Sequence, residues 1–312
     1  MRWFYLFIAI IFSNKLTAQF ENASLIVMYD SAWEYKNLKL IPVKFDWVGH
    51  GNKNAIRNNE EIISLQKAIK EKKVTLKEIY TNDGSDARVL VIKNKSKKTI
   101  LVSNGEIVLG GKQDRIIAET KLIEPGKEEH YIDVYCAEKG RWDKKAKSFK
   151  YLKPTDFDLK KIIDLKKNQA EVWKEIDYRY KSKNKSSKTW SIAELGINNI
   201  NFDSNYYNFF KKAYAASDSA FSGFIAVTGN RIIGCDLYAN ADLQELQFFS
   251  NLSNYSEVAI ETGSKPILNK NAIETFIKPI LSDNKTRDAY LLNRGKVFRN
   301  KEKIIHISAY GD

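Results

Sequence analysis

Cysteine, histidine, methionine and proline are all scarce in this 312-residue chain: two cysteines, three histidines, two methionines and five prolines. The histidines (His50, His130, His306) and cysteines (Cys136, Cys235) lack the spacing of a Cys/His structural zinc site, so no metal is expected. Gly110-Gly111 has neither the Walker nor the Rossmann spacing, and no nucleotide cofactor is expected. Ser222-Gly223 is not embedded in the Gly-x-Ser-x-Gly elbow of a serine hydrolase. The apolar run Trp3–Phe12 is ten residues long, against the ~20 that a membrane-spanning helix requires.

That short run has a different use. Arg2 precedes it, Ser13, Asn14 and Lys15 end it, and the small residues Thr17 and Ala18 lead to Gln19. Charge, short apolar stretch and small residues in that order describe a secretory signal peptide. Residues 1–19 are read as that leader, with cleavage after Ala18 or after Gln19. No cysteine stands near the cut to carry a lipid. The expectation is a periplasmic or secreted protein with no transmembrane segment after processing.

Charge and composition bound the rest. The chain is 43% hydrophobic and 12% aromatic, enough to bury a core. The net charge is +13, and loss of Arg2 and Lys15 with the leader lowers it by two. Lysine runs at 95–98, 144–147 and 181–188 fall in expected loops or helix ends, without recognition-helix, zinc-finger or RNA-binding aromatic patterns. They read as solvated surface, and no nucleic-acid partner is expected. In an oxidising compartment Cys136 and Cys235 could pair as a disulfide, worth ~4–5 kcal/mol for so long a loop; buried free thiols are the alternative. Nothing in the chain reports oligomeric state.

Residues 20–312 read as one α+β domain. Its first half, 20–150, is β-rich and antiparallel, sandwich- or barrel-like; its second, 151–312, is helix-rich with hairpins. Segments 24–28, 38–47, 74–79, 87–92, 99–103, 106–109, 115–118, 120–123 and 129–136 carry β-branched or alternating patterns, with a hairpin expected at Asn104-Gly105 and a turn at Pro125-Gly126. Asn58 or Asn59 is placed as the cap of a helix through Lys70. A single long helix is expected from Thr155 or Asp156 towards Tyr180, and further helices over 205–216, 242–262 and 272–281. Hairpins are expected around Gly229-Asn230 and at 297–310.

Two stretches concentrate reactive chemistry: Gly105-Glu106 through Gly110-Gly111-Lys112-Gln113-Asp114-Arg115, and Cys136-Ala137-Glu138-Lys139-Gly140-Arg141-Trp142. Arginine presents a planar fork of donors that matches carboxylate or phosphate. Converging turns of this kind could hold an anion, with Arg115 and Arg141 as contacts and Gln113 as an orienting amide. Glu106 and Glu138 would position the arginines, and Trp142 would supply a stacking face. The competing interpretation is structural: Glu106 or Glu138 pairs with Arg115 or Arg141 and fixes two turns. A third use makes Glu106 or Glu138 the acid or base of a hydrolase. Cys136 with His130 or His306 as base is a further pairing, and His306 alternates with Ile305 and Ile307 and faces away from them.

The ordered motifs resemble those of the ARG and rhodanese-phosphatase-superfamily-associated protein domain family. The matching positions are Gly105, Glu106, Gly110 to Arg115, Cys136, Glu138, Gly140, Arg141 and Trp142, and Tyr135 replaces a small residue of the pattern. A weaker similarity covers most of the mature chain. The resemblance implies association with ADP-ribosyl-glycohydrolase and phosphatase-like proteins, hence nucleotide or ADP-ribose-type ligands, and carries over no catalytic residue. The functions expected are thus an exported protein binding a small anionic or nucleotide-like ligand, a hydrolase of ADP-ribose-like, phosphoester or glycosidic substrates, or a scaffold.

Overall fold

The computed structural model describes residues 19–20, 23–45, 61–81, 84–141, 147–195, 204–217 and 220–311. The expected leader up to Ala18, the helix caps Asn58 and Asn59, and Trp142 lie outside them. The chain opens with β1 (Gln19–Phe20), β2 (Ala23–Val27), β3 (Trp33–Tyr35) and β4 (Leu38–Phe45). Next come β5 (Ile62–Ser64), α1 (Leu65–Lys70), β6 (Val74–Thr81), β7 (Gly84–Asn94) and β8 (Thr99–Val102). The motif region holds β9 (Glu106–Gly111), β10 (Arg115–Ile117), β11 (Lys121–Ile123), β12 (His130–Cys136) and β13 (Lys147–Pro154). Helices α2 (Phe157–Lys166), α3 (Gln169–Ser182) and α4 (Ser204–Ala216) lead to the hairpin of β14 (Phe221–Thr228) and β15 (Arg231–Tyr238). The chain finishes with α5 (Ala241–Glu261), α6 (Lys270–Ile280), α7 (Asn284–Leu291), β16 (Gly295–Asn300) and β17 (Lys303–Tyr310).

These strands form an eight-stranded sheet (β1-β2-β4-β14-β15-β17-β16, with β3 on β4), a six-stranded sheet (β13-β9-β10-β12-β7-β6) and a three-stranded sheet (β11-β8-β5). Pairing is antiparallel apart from β5 on β8, so the α+β class is as expected. Every residue of β14 is buried, because helices cover both faces of the large sheet. Phe248, Leu252, Tyr255 and Ala259 of α5 pack on one face, and Ile273, Phe276, Ile277 and Ile280 of α6 on the other. The six-stranded sheet faces the three-stranded one through Leu90, Ile92, Ile100 and Val102. Its other face carries α2 and α3 through Leu159, Ile163, Val172 and Ile176.

Four expectations are corrected. First, β4 pairs with β14, Leu40 opposite Ala226, so the strands before Phe45 belong with the C-terminal hairpins and the β-rich half is not contiguous. Second, Asn104-Gly105 turns the chain between two different sheets, since β8 and β9 are not neighbours; Gly105 takes φ +85°, and an added Cβ would lie 2.7 Å from Thr155 Oγ1. Third, the long helix is broken: Lys167 is left-handed at φ 50°, and the Asn168 side chain caps α3 through the Ala170 N–H. Fourth, α1 begins only at Leu65, capped by Ser64, whose hydroxyl accepts from the Lys67 N–H.

A closed ring of buried polar side chains joins the layers. Lys160 of α2 donates to Asp236 Oδ1 (2.9 Å) and Ser308 Oγ (2.8 Å). Asp236 also meets His306 Nε2 (2.8 Å) and the Tyr255 hydroxyl (2.6 Å). His306 Nδ1 lies 3.2 Å from Thr120 Oγ1, which donates to Asn104 Oδ1 at 2.9 Å. Asn104 Nδ2 reaches Asp164, and the Tyr310 hydroxyl returns from Asp164 Oδ2 (2.6 Å) to Ser308 (3.4 Å). Burial opposes ionisation of Asp236, but Lys160 and His306 hold its carboxyl well below the usual range. Breaking a buried pair by removing one partner costs ~3–5 kcal/mol, whereas an exposed pair is worth at most ~1 kcal/mol. Asp236→Ala is therefore expected to lose ~3–5 kcal/mol in denaturant titration, and Asp288→Ala, which frees only the exposed Arg299, at most ~1 kcal/mol. Equal losses would contradict the assignment.

Candidate functional site

The two motif turns converge, and their guanidinium groups bond to protein. Arg115, with no exposed surface, donates from Nη2 to Glu78 Oε1 at 2.8 Å. Its Nη1 reaches Gln113 Oε1 and the Asp114 carbonyl. Arg141 donates to Glu138 (2.7 Å) and Asp114 (3.0 Å), and to the Gly110 and Gly111 carbonyls. Glu78 also accepts the Lys112 N–H, and Ser191 donates to Asp114. Of the pairs weighed from sequence, Glu138 with Arg141 forms; Arg115 takes Glu78, which is 37 residues away in sequence. Gly111, at φ +54°, admits no side chain, because a Cβ would meet the Phe149 ring at 2.5 Å and Glu78 Oε1 at 2.8 Å. The arrangement locks β6, β9, β10 and the Glu138–Arg141 turn together.

Glu106 takes a separate path. It begins β9 opposite Pro154 of β13, and its carboxylate accepts the Ser103 N–H at 2.8 Å and a bond from Tyr151. Among the described residues it makes no salt bridge. Burial pushes its carboxyl up to about 8, with the Ser103 and Tyr151 bonds opposing, so at neutral pH most of it keeps its proton. Glu106 lines a cleft of about 510 Å³ between β13 and α5. One wall is aromatic: Tyr207 and Phe249 lie with ring centroids 4.8 Å apart, and Phe249 is 38% exposed. Lys153 and Thr155 of the β13 side and Ser250, Ser253 and Asn254 of α5 also line it. Thr155 Oγ1 is buried, lies towards Gly105 and has no hydrogen-bond partner among the described residues. Desolvation lowers the Lys153 ammonium. A protonated acid, an ammonium and an aromatic pair in one hollow make a place for a polar ligand.

The cysteines are both buried thiols outside any disulfide and lie in different sheets, the second of the two states weighed from sequence. Cys136 pairs opposite Arg115 in the six-stranded sheet, and Cys235 opposite Ile225 and Ala309 in the large one. Burial raises both thiols. His306 lies neither in solvent nor in an open pocket: it is 1% exposed, stacked between Tyr238 and Phe298 at 4.4 and 4.9 Å. Sequence reasoning missed Glu78, Lys160, Asp164 and Asp236. A signal existed in Asp236, the one acid within the strand Arg231–Tyr238 and flanked there by apolar residues. Among the described residues no cluster of three or more His, Cys, Asp or Glu could hold a metal, and no helix is long and apolar enough to cross a membrane.

Fold and site together define an α+β protein with a carboxyl-bearing cleft between the six-stranded sheet and a helix of the large one. The chain belongs to the ARG and Rhodanese-Phosphatase-superfamily-associated Protein domain family, whose profile matches residues 26–310. No curated protein and no solved structure matches it.

The Glu106 carboxyl sets a pH dependence of definite sign. Its folded value, about 8, lies above the 4.5 of the free side chain. Its contribution to stability is complete below the lower value and is lost as pH rises through the upper one. Glu106→Gln keeps the shape and stays neutral. Relative to wild type, the variant should gain stability between about pH 5 and about pH 9. Denaturant titrations at both ends check this, and a constant difference would refute it.

Proposed function

We propose that this is an exported protein that binds a small, hydroxyl-rich, nucleotide- or ADP-ribose-like ligand in the Glu106 cleft. The observation that carries the proposal is a proton-bearing carboxyl and an aromatic pair on the lining of one hollow. The Phe249 and Tyr207 rings offer a face for a base or sugar, and stacking of this kind contributes ~1–3 kcal/mol. Ser250, Ser253 and Asn254 on the lining supply hydrogen bonds to hydroxyls. Lys153 on the cleft and Lys211, whose Nζ is 5.6 Å from the Tyr207 ring, supply positive charge for a phosphate. Arg115 and Arg141 act from behind as positioning groups: their bonds to Glu78, Glu138 and Asp114 hold β9 and β10 in register. The leader motif around Trp3–Phe12 supports delivery outside the cytosol.

A second reading is favoured by the Glu106 proton specifically. A carboxylic acid neutral at pH 7 can protonate a leaving oxygen, the general-acid role in glycosidic or phosphoester hydrolysis. Thermal-shift and calorimetric titrations with ADP-ribose separate the readings. The binding proposal predicts a raised Tm that Phe249→Ala weakens by about tenfold in Kd, matching the stacking magnitude. Wild type and Phe249→Ala responding alike would overturn it. The hydrolase reading predicts turnover that Glu106→Gln abolishes while binding persists; binding without turnover would refute that reading alone.

A further inference from the structure

A second hollow, of about 700 Å³, opens where β7, β12 and β16 meet the α2–α3 link. Four cationic residues from three separate parts of the chain line it: Arg88 of β7, Lys167 between α2 and α3, and Lys296 and Arg299 of β16. Only two acids do, Glu119 and Asp133. Glu119 is already engaged, its Oε1 3.2 Å from Lys121 Nζ and 3.1 Å from the Asp133 N–H. Arg299 pairs with Asp288, an exposed contact of small worth. Lys296 is the revealing member. Its Nζ donates to the Ala118 carbonyl at 2.7 Å and lies 4.8 Å from the Phe298 ring centroid, yet among the described residues neither it nor Lys167 forms a salt bridge. Desolvation of Lys296 lowers its pKa, with Asp164, Glu119 and Asp133 pulling the other way at a distance. Thr120 lies on the groove's lining, and its hydroxyl touches Asn104 and His306 behind it.

We infer that this groove is a second binding site, separate from the Glu106 cleft, for a small phosphate-bearing anion. Lys296 and Lys167 supply the charge, and Arg88 and Arg299 the planar donor forks. Such an anion replaces the carboxylate that the fold does not provide, and charge-assisted bonds of this type are about twice as strong as neutral ones. Because Thr120 lies between the groove and the His306 ring, occupancy is felt at His306 without direct contact.

Pyrophosphate is the probe. Titrated into the full chain, it is expected to bind with an affinity that falls with added salt, and to shift the imidazole ¹⁵N resonances assigned to His306 through a His306→Gln control. Lys296→Gln should weaken binding by at least about tenfold, the loss of one charge-assisted bond at ~1.4 kcal/mol. Lys167→Gln, at an exposed position that leaves the core untouched, should weaken it several-fold and carries the test should Lys296→Gln not fold. Phe249→Ala, in the other cleft, should leave it unchanged. The inference is overturned if pyrophosphate does not bind, if it binds without moving the His306 resonances, or if the lysine variants that fold bind it as wild type does. Loss of binding in Phe249→Ala would place the anion in the Glu106 cleft instead.

Discussion

The buried ring centred on Asp236 is the constraint on which the rest of the molecule depends. It takes a lysine and an aspartate from α2, an asparagine and a threonine from the motif region, and an aspartate, histidine, serine and tyrosine from the large sheet. Each charge is expensive to bury alone, so the ring is stable only when all three layers are in place. That makes it a device for register more than for net stability. Asn104, one member, directly precedes the Gly105 turn and Glu106. Thr120, another, borders the cationic groove. One network thereby sets the geometry of both hollows.

The motif arginines illustrate a division of labour. Arg115 and Arg141 look from their chemistry like ligand contacts, yet their donors are turned to acids and carbonyls of the chain. Paired in this way they hold strands whose edges define the Glu106 cleft. Glu106 differs from Glu78, Glu138 and Asp114 in having no cationic partner among the described residues. Its environment favours the neutral acid, and a neutral acid in a cleft can donate a proton or a hydrogen bond where a paired carboxylate cannot.

How much of this was legible in the sequence depends on the range of the interactions involved. Local signals read well: helix α5, the Gly229-Asn230 hairpin and the closing strands β16 and β17 stand where the local pattern places them. Strand β13 escaped notice because lysines at 147, 150 and 153 mask its apolar residues. The break at Lys167 escaped because a lysine in the left-handed region has no composition mark. Glu106 was identifiable as a candidate from its motif, but its isolation from the arginines was not. Glu78, which claims Arg115 in its stead, comes from a strand outside both motifs. The joining of β4 to β14, Leu40 to Ala226, and the assembly of the ring, Thr120 to His306, are likewise pairings across 186 residues, for which a single chain offers no local cue.

The central claim is that the cleft carries a carboxyl that keeps its proton at neutral pH, and the most direct measurement is a site-resolved titration of that group. ¹³C-detected NMR of the glutamate carboxyl carbons, with Glu106 assigned by its absence in Glu106→Gln, should show a midpoint at about 8. A midpoint near the 4.5 of a free glutamate would mean that water or an unseen cation solvates the carboxylate, and the cleft would lose the acid on which its proposed chemistry rests.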